Sequence, residues 1–161
     1  MTTEKARAHR LDAFPAAAIR FSRALDRNRE RIAEEEGLSA NELRALFYIG
    51  EHVTVTPSQL AKHMHVTATA ITFISRRLVE IDLVHRVAHP ADRRRIFLEL
   101  TPAAHSALDR IHAEFDEMVR EATSHLDNAQ VREFTSALDS VATAITERTD
   151  RIGRAKDAET A

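Results

Sequence analysis

Apolar residues recur along this chain at two periods. Phe14, Ala18, Phe21, Leu25 and Ile32 are spaced by four, three, four and seven, which places them on one helical stripe. Pro15 suits a first turn or kink, and Gly37 a helix end. Glu34, Glu35 and Glu36 run against this reading, because the macrodipole disfavours negative charge at a helix C-terminus. Ser39 with Glu42 makes a capping box for a second helix whose buried face carries Leu43, Leu46, Phe47 and Ile49. Thr56, Pro57 and Gln59 repeat that logic ahead of a short helix to Met64, with Leu60, Ala61 and Met64 inward. Val66 and Thr67 turn the chain into a fourth helix. Its inward positions are Ile71, Ile74, Leu78 and Ile81, and its opposite face presents Thr69, Thr72, Phe73 and Arg76.

After Leu83 the period changes to two. Val84 to Ala88 reads as a strand, residues 89–93 as a turn, and Ile96, Leu98 and Leu100 alternate with Arg95, Phe97 and Glu99 in a returning strand. Thr101 and Pro102 open a fifth helix striped by Ala104, Leu108, Ile111, Phe115, Met118, Ala122 and Leu126. Asp127 with Gln130 caps a sixth, striped by Val131, Phe134, Leu138, Val141, Ile145 and Ile152. The predicted fold is mainly α with a small β-wing. A short helix, a tight turn, a second helix with a polar outer face and a two-stranded hairpin make a winged helix-turn-helix over 38–101. Residues 1–37 and 102–152 supply flanking helices, and 153–161 read as a disordered tail.

Composition removes several function classes. The chain has 161 residues, 43% apolar and 30% charged, which is one domain's length with room for a core. It has no cysteine, so disulfides, thiolate metal sites and thiol redox sensing are excluded. Its three glycines, Gly37, Gly50 and Gly153, are too scattered for a phosphate-cradling loop. No nucleophile with an adjacent base and no paired carboxylates can be assembled, so an enzyme is not expected, and no cofactor is implied. The start lacks the apolar run of a signal peptide and nothing approaches a membrane span, so the expectation is a soluble cytoplasmic protein.

Charge then sharpens the picture. The net charge is -2, yet from Ser58 to Thr101 seven basic residues (Lys62, Arg76, Arg77, Arg86, Arg93, Arg94, Arg95) face four acidic ones (Glu80, Asp82, Asp92, Glu99), leaving +3 there and -5 elsewhere. A major groove about 12 Å wide accepts one helix, and its donors and acceptors suit Arg, Thr and Ser. Candidate contacts on the fourth helix are Thr67, Thr69, Thr72, Phe73, Ser75, Arg76 and Arg77, Thr67 being equally suited to a cap. Arg76 and Arg77 lie about 100° apart on a helix, so one reads DNA while the other pairs with Glu80 or Asp82. On the hairpin, Arg93, Arg94 and Arg95 suit the narrower, more electronegative minor groove. Of the nine histidines, none forms an i, i+4 pair on a helix beside another ligand, so no metal site is expected.

The run from Thr67 to Thr101, and above all Asp92, Arg93 and Arg94 followed by an alternating strand ending in Leu100 and Thr101, resembles the multiple antibiotic resistance regulator (MarR) family. The resemblance spans nearly the whole order of helices. It implies a triangular homodimer whose base is built from the first and last two helices, with Phe14, Phe134, Leu138, Val141 and Ile145 as candidate interface residues. It implies a wing in which Asp92 holds the loop and an arginine enters the minor groove. It further implies a repressor released from a pseudo-palindromic operator when a small aromatic or hydrophobic, often anionic, effector binds; Phe21, Phe47, Tyr48, His52 and Phe115 are candidate pocket residues. Two departures stand out from that pattern: Asp82 where the family has glycine, which tolerates a left-handed turn, and Phe73 where it has a basic or polar residue, here set either against a thymine methyl or into packing. The competing reading is a winged-helix module for protein assembly without specific DNA binding.

Overall fold

The computed structural model describes residues 12–52, 54–89 and 92–160, with side chains for these except His89, 92–94, 154 and 156–160. Among them the elements run α1 (Ala13–Glu35), α2 (Ala40–Gly50), α3 (Pro57–Met64), α4 (Ala68–Glu80), β1 (Val84–His89), β2 (Asp92–Leu100), α5 (Pro102–Ala122) and α6 (Asn128–Thr160). The chain divides into two compact units, the first ending at His112 and the second beginning at Ala113.

Local chemistry starts the helices. Ser39 Oγ accepts from the Glu42 N–H while Glu42 Oε2 accepts from the Ser39 N–H at 2.7 Å, and Thr56 and Gln59 make the same reciprocal pair. Asp127 Oδ1 accepts from the Ala129 and Gln130 N–H groups at the head of α6. Helix ends follow a second rule. At Gly37, His65 and Asp82 the backbone turns left-handed, with φ of 65°, 54° and 57°. In each case the next N–H reaches back to a carbonyl five residues earlier (Leu38 to Ala33, Val66 to Ala61, Leu83 to Leu78) and the left-handed residue's own N–H to one three earlier. This is the Schellman closure of orphan carbonyls. Asp82 therefore adopts the left-handed turn expected of it, and His65 does so without any glycine to mark the place.

The first unit closes on one core. Leu43, Leu46 and Ile49 of α2, Leu60 and Met64 of α3, Ile71 and Leu78 of α4, Val84 of β1, and Leu98 and Leu100 of β2 are buried together. Ile32 and Ala33 of α1 and Ala104, Leu108 and Ile111 of α5 join them, so the core reaches beyond the span 38–101 on both sides. Phe47 is only half-buried, and Ala45 takes the fully enclosed position instead. A Cβ on Gly50 would lie 2.6 Å from Leu108 Cδ1, which marks the close approach of α2 to α5.

β1 and β2 pair antiparallel, from Val84 opposite Leu100 to Ala88 opposite Ile96, with a register shift before His89. The strands run farther toward the tip than the 89–93 turn allowed, since β1 includes His89 and β2 begins at Asp92. Ile96 alternates as expected but is 41% exposed, lying toward the tip of the hairpin and away from the core. Val55 adds an isolated bridge to Leu98, whose N–H donates to the Val55 carbonyl at 2.8 Å.

In the second unit, α5 stops at Ala122 and not at Leu126, and α6 continues through Gly153 to Thr160. The expected tail at 153–161 is thus helical as far as it is described. A single glycine costs a helix about 1 kcal/mol, and the residues after it include good helix formers (Arg154, Ala155, Lys156, Ala158, Glu159).

Candidate nucleic-acid interface

α4 has two faces of opposite character. Ile71, Ser75 and Leu78 are buried and Ile74 half-buried, whereas Thr69, Thr72, Phe73, Arg76 and Arg77 are exposed. Thr67 caps the helix, its Oγ1 accepting from the Ala70 N–H at 3.2 Å, while remaining exposed. Thr72 Oγ1 donates to the Ala68 carbonyl at 2.9 Å, which fixes its rotamer and leaves the oxygen lone pairs outward.

Ser75 corrects the expectation. Its side chain is 2% exposed, donating to the Thr72 carbonyl at 3.3 Å and accepting from Arg86 Nη2 at 3.3 Å. One helical turn separates it from Ile71 and Leu78, so it shares their inward stripe and cannot meet a groove. Its role is to tie the root of the hairpin, through Arg86 of β1, to α4. Sequence spacing alone gave Arg86 no role. The signal available was only that it alternates with Val87 on β1.

The two arginines separate as their 100° offset requires. Arg76 Nε lies 3.4 Å from Glu80 Oε1, both exposed, and its guanidinium sits 5.3 Å from the centre of the Phe73 ring. An exposed pair of this kind contributes about 0–1 kcal/mol, so it aims the arginine more than it stabilises the helix. Arg77 is exposed on the adjoining strip. Phe73, at 58% exposure, does not pack into the core, which removes that half of its expected alternatives.

On the hairpin, Arg95 and Arg86 are exposed on the described part. The side chains of Asp92, Arg93 and Arg94 lie outside the described residues. At the root, His85 Nε2 faces Glu99 Oε2 at 3.5 Å across the strands. Thr101 Oγ1, buried, donates to the Asp82 carbonyl at 2.7 Å and accepts from the Ala104 N–H at 3.2 Å. One hydroxyl thereby joins the turn after α4 to the start of α5.

Within the first unit, the candidate pocket residues Phe47 and Tyr48 make separate ring contacts. The Phe47 ring stacks on His112 at 5.9 Å, whereas Tyr48, next along α2, lies between His52 at 4.2 Å and His63 at 3.9 Å. Phe21 is exposed on α1, and Phe115 belongs to the second unit. A different cleft, of about 400 Å³, opens between α1 and α2 and is lined by Asp26, Arg29, Glu30, Ala40, Leu43, Arg44 and Phe47. Only Phe47 is shared. The charged wall was missed because its residues read as solvated positions on two separate helices. Among the described residues no three His, Asp or Glu side chains converge as a metal site would need. Nor is any described helix long and apolar enough to cross a membrane. Phe14, Phe134 and Ile145 are exposed, and Leu138 and Val141 half-buried.

Comparison with known proteins bears on this arrangement. The sequence model of the MarR family matches residues 38–96. The HTH-type transcriptional repressor MdtR of Bacillus subtilis (strain 168) is 32% identical over 68 residues, 42% of this chain and 44% of that protein, so the chain matches less than half of that relative's length. Among solved structures, wild-type MarR from E. coli in its apo form superposes with a TM-score of 0.66 at 22% identity, covering 83% of this chain and 98% of that one. A MepR variant from S. aureus bound to an oligodeoxyribonucleotide gives 0.62 at 18%, covering 84% and 99%. At these identities the two structures establish the shared winged-helix fold.

Proposed function

We propose that this chain, whose residues 38–96 match the sequence model of the MarR family, is a sequence-specific transcriptional regulator of that family that binds double-stranded DNA as a homodimer. The observation that carries the proposal is the outward face of α4, where Thr69, Thr72, Phe73, Arg76 and Arg77 stand exposed while the opposite face is sealed into the core. A rigid helix with hydroxyls and guanidinium groups on its free side suits the donor and acceptor pattern of a major groove. Thr67 lies at its N-terminus, where phosphate is favoured. On the wing, one of Arg93 and Arg94 serves the minor groove, Arg95 faces solvent or phosphate, and Asp92 steadies the loop.

The dimer follows from apolar surface. Among the described residues Phe14 on α1 and Phe134 and Ile145 on α6 stand exposed, with Leu138 and Val141 half-buried, and apolar stripes of this kind suit burial against a second copy related by a two-fold axis. Two-fold symmetry also sets two α4 helices about 34 Å apart, one turn of DNA. The similarity to a Bacillus protein named as a transcriptional repressor supports repression as the outcome.

The effector is a small aromatic or hydrophobic, often anionic, molecule, and the α1/α2 cleft is a candidate place for it. Leu43 and Phe47 give that cleft an apolar floor, and Arg29 and Arg44 give it cationic groups beside the carboxylates of Asp26 and Glu30. Arg29 is paired with Asp26 at 3.2 Å, a partner that an incoming carboxylate would replace. An effector that prefers the spacing of α4 helices unsuited to DNA lowers operator affinity by its differential affinity for the two states.

Selection of bound duplexes from random DNA, at fixed salt, tests the reading. The expected result is an inverted repeat with half-sites about 10 base pairs apart and an affinity that falls steeply with salt. A pool with no enriched sequence overturns it.

A further inference from the structure

The outer face of α4 is largely polar, and its most exposed large apolar side chain is Phe73, at 58%, with Val79 at 37%. Phe73 is flanked by Thr69 and Thr72 and faced by Arg76, whose guanidinium carbon stands 5.3 Å from the ring centroid. Arg76 is held from its other side by Glu80, Nε to Oε1 at 3.4 Å. The three residues, at i, i+3 and i+7, form one row along the helix surface. Two weak contacts thus bias the arginine before any ligand arrives, the Phe73 ring on one side and a carboxylate at its Nε on the other.

The chemistry of the row names what it would meet. An exposed ring gains by leaving water only against another apolar group, and on the major-groove edges of the bases that group is the C5-methyl of thymine. A guanidinium whose Nε is engaged presents its two Nη groups, which have no partner among the described residues, and the acceptor pair they suit is guanine O6 and N7. The 5.3 Å between ring and guanidinium lies between one and two base steps of about 3.4 Å, so the two groups fall on neighbouring base pairs. Resting on the reading of α4 as the DNA-contacting helix, we propose that Phe73 and Arg76 act as one specificity unit. It selects a thymine and a guanine in neighbouring base pairs of each half-site, the ring against the methyl and the guanidinium on the guanine edge.

The test uses the full-length protein and the duplex it selects from random DNA. Each thymine of that duplex is replaced in turn by uracil, which removes only the methyl group. For the wild type, uracil at one thymine per half-site weakens binding about fourfold, the value of one buried methyl. Phe73→Ala, which touches no core position, binds the thymine and uracil duplexes equally, and Phe73→Leu keeps part of the difference. At the neighbouring guanine, 7-deazaguanine weakens the wild type and leaves Arg76→Ala indifferent. A uracil penalty that survives in Phe73→Ala, or the absence of any thymine whose methyl matters to the wild type, overturns the unit while sequence-specific binding stands. A random pool from which nothing is enriched overturns the DNA-binding reading and the unit with it.

Discussion

The two units of this chain use the same apolar spacing to different ends. In the first, stripes at three- and four-residue intervals on α2, α4 and the start of α5 converge on buried Leu46, Ile71 and Leu108. In the second, α6 carries an equally regular stripe, yet no described side chain from Ala113 onward is buried, and Ile145 stands 62% exposed. α5 shows the change within a single helix: Ala104, Leu108 and Ile111 are enclosed, while Phe115 and Met118 on the same stripe are open. Periodicity therefore identifies the face to be covered but not the surface that covers it. The first unit supplies its own cover from short elements that cross; the second presents a face that suits another chain.

The contrast is broken or sharpened most strongly at its sealed end. Leu60 on α3 is fully enclosed, so Leu60→Ala should lower stability by about 2–5 kcal/mol per chain through lost transfer energy and a cavity. Urea unfolding followed by circular dichroism measures this, and a loss below about 1 kcal/mol would mean that the site collapses or was never tightly packed. At the open end, Ile145→Asp removes about 1.5–3 kcal/mol of apolar burial per chain from the proposed dimer, twice over by symmetry, and leaves the core of the first unit untouched. Light scattering should report a shift from dimer toward monomer mass. An unchanged mass would place the dimer contact elsewhere.

What could be read in the sequence follows the same division between local and non-local causes. The caps at Ser39, Thr56 and Asp127 were legible because each is a side chain bonding backbone within three residues. The order of helices and the switch to a strand period after Leu83 were legible from spacing alone. The burial of Ser75 follows from the same spacing, one turn from Ile71 and Leu78, whereas its bond to Arg86, eleven residues away on another element, was not legible. His65 was hidden for a related reason: its left-handed turn is imposed by the packing of α3 and α4, not advertised by a glycine. The cleft between α1 and α2 joins Asp26 and Arg29 to Arg44 across a loop, which no single helical pattern reveals. The end of α6 is hidden by a polar, glycine-containing run that favours fraying, whereas the helix continues to Thr160.

Polar contacts also help to seal the first unit, and Thr101 tests how much. Its hydroxyl serves the Asp82 carbonyl and the Ala104 N–H together. Thr101→Ala leaves both without that partner at a buried position and should cost about 1–2 kcal/mol. Thr101→Ser restores most of the loss if the hydroxyl is the cause. Equal losses in the two variants would assign the effect to the missing methyl group.

The smallest effect expected lies at the turn that Thr101 holds. Asp82 has φ of 57°, and the Schellman closure after α4 requires that conformation, with Leu83 N–H on the Leu78 carbonyl at 2.9 Å. An L-residue there costs about 1–2 kcal/mol, less for Asp, whose short polar side chain bonds locally. Glycine removes the cost but gives the unfolded chain more freedom to lose. The two terms oppose each other, so Asp82→Gly should stabilise by only about 0.5 kcal/mol, whereas Asp82→Val, β-branched and left-handed, should destabilise by more than 1 kcal/mol. Thermal melts of the three proteins should rank glycine above aspartate above valine. Valine equal to aspartate would show that the turn is not held left-handed in solution, and the linkage between α4 and the wing would then rest on Arg86 and Ser75 alone.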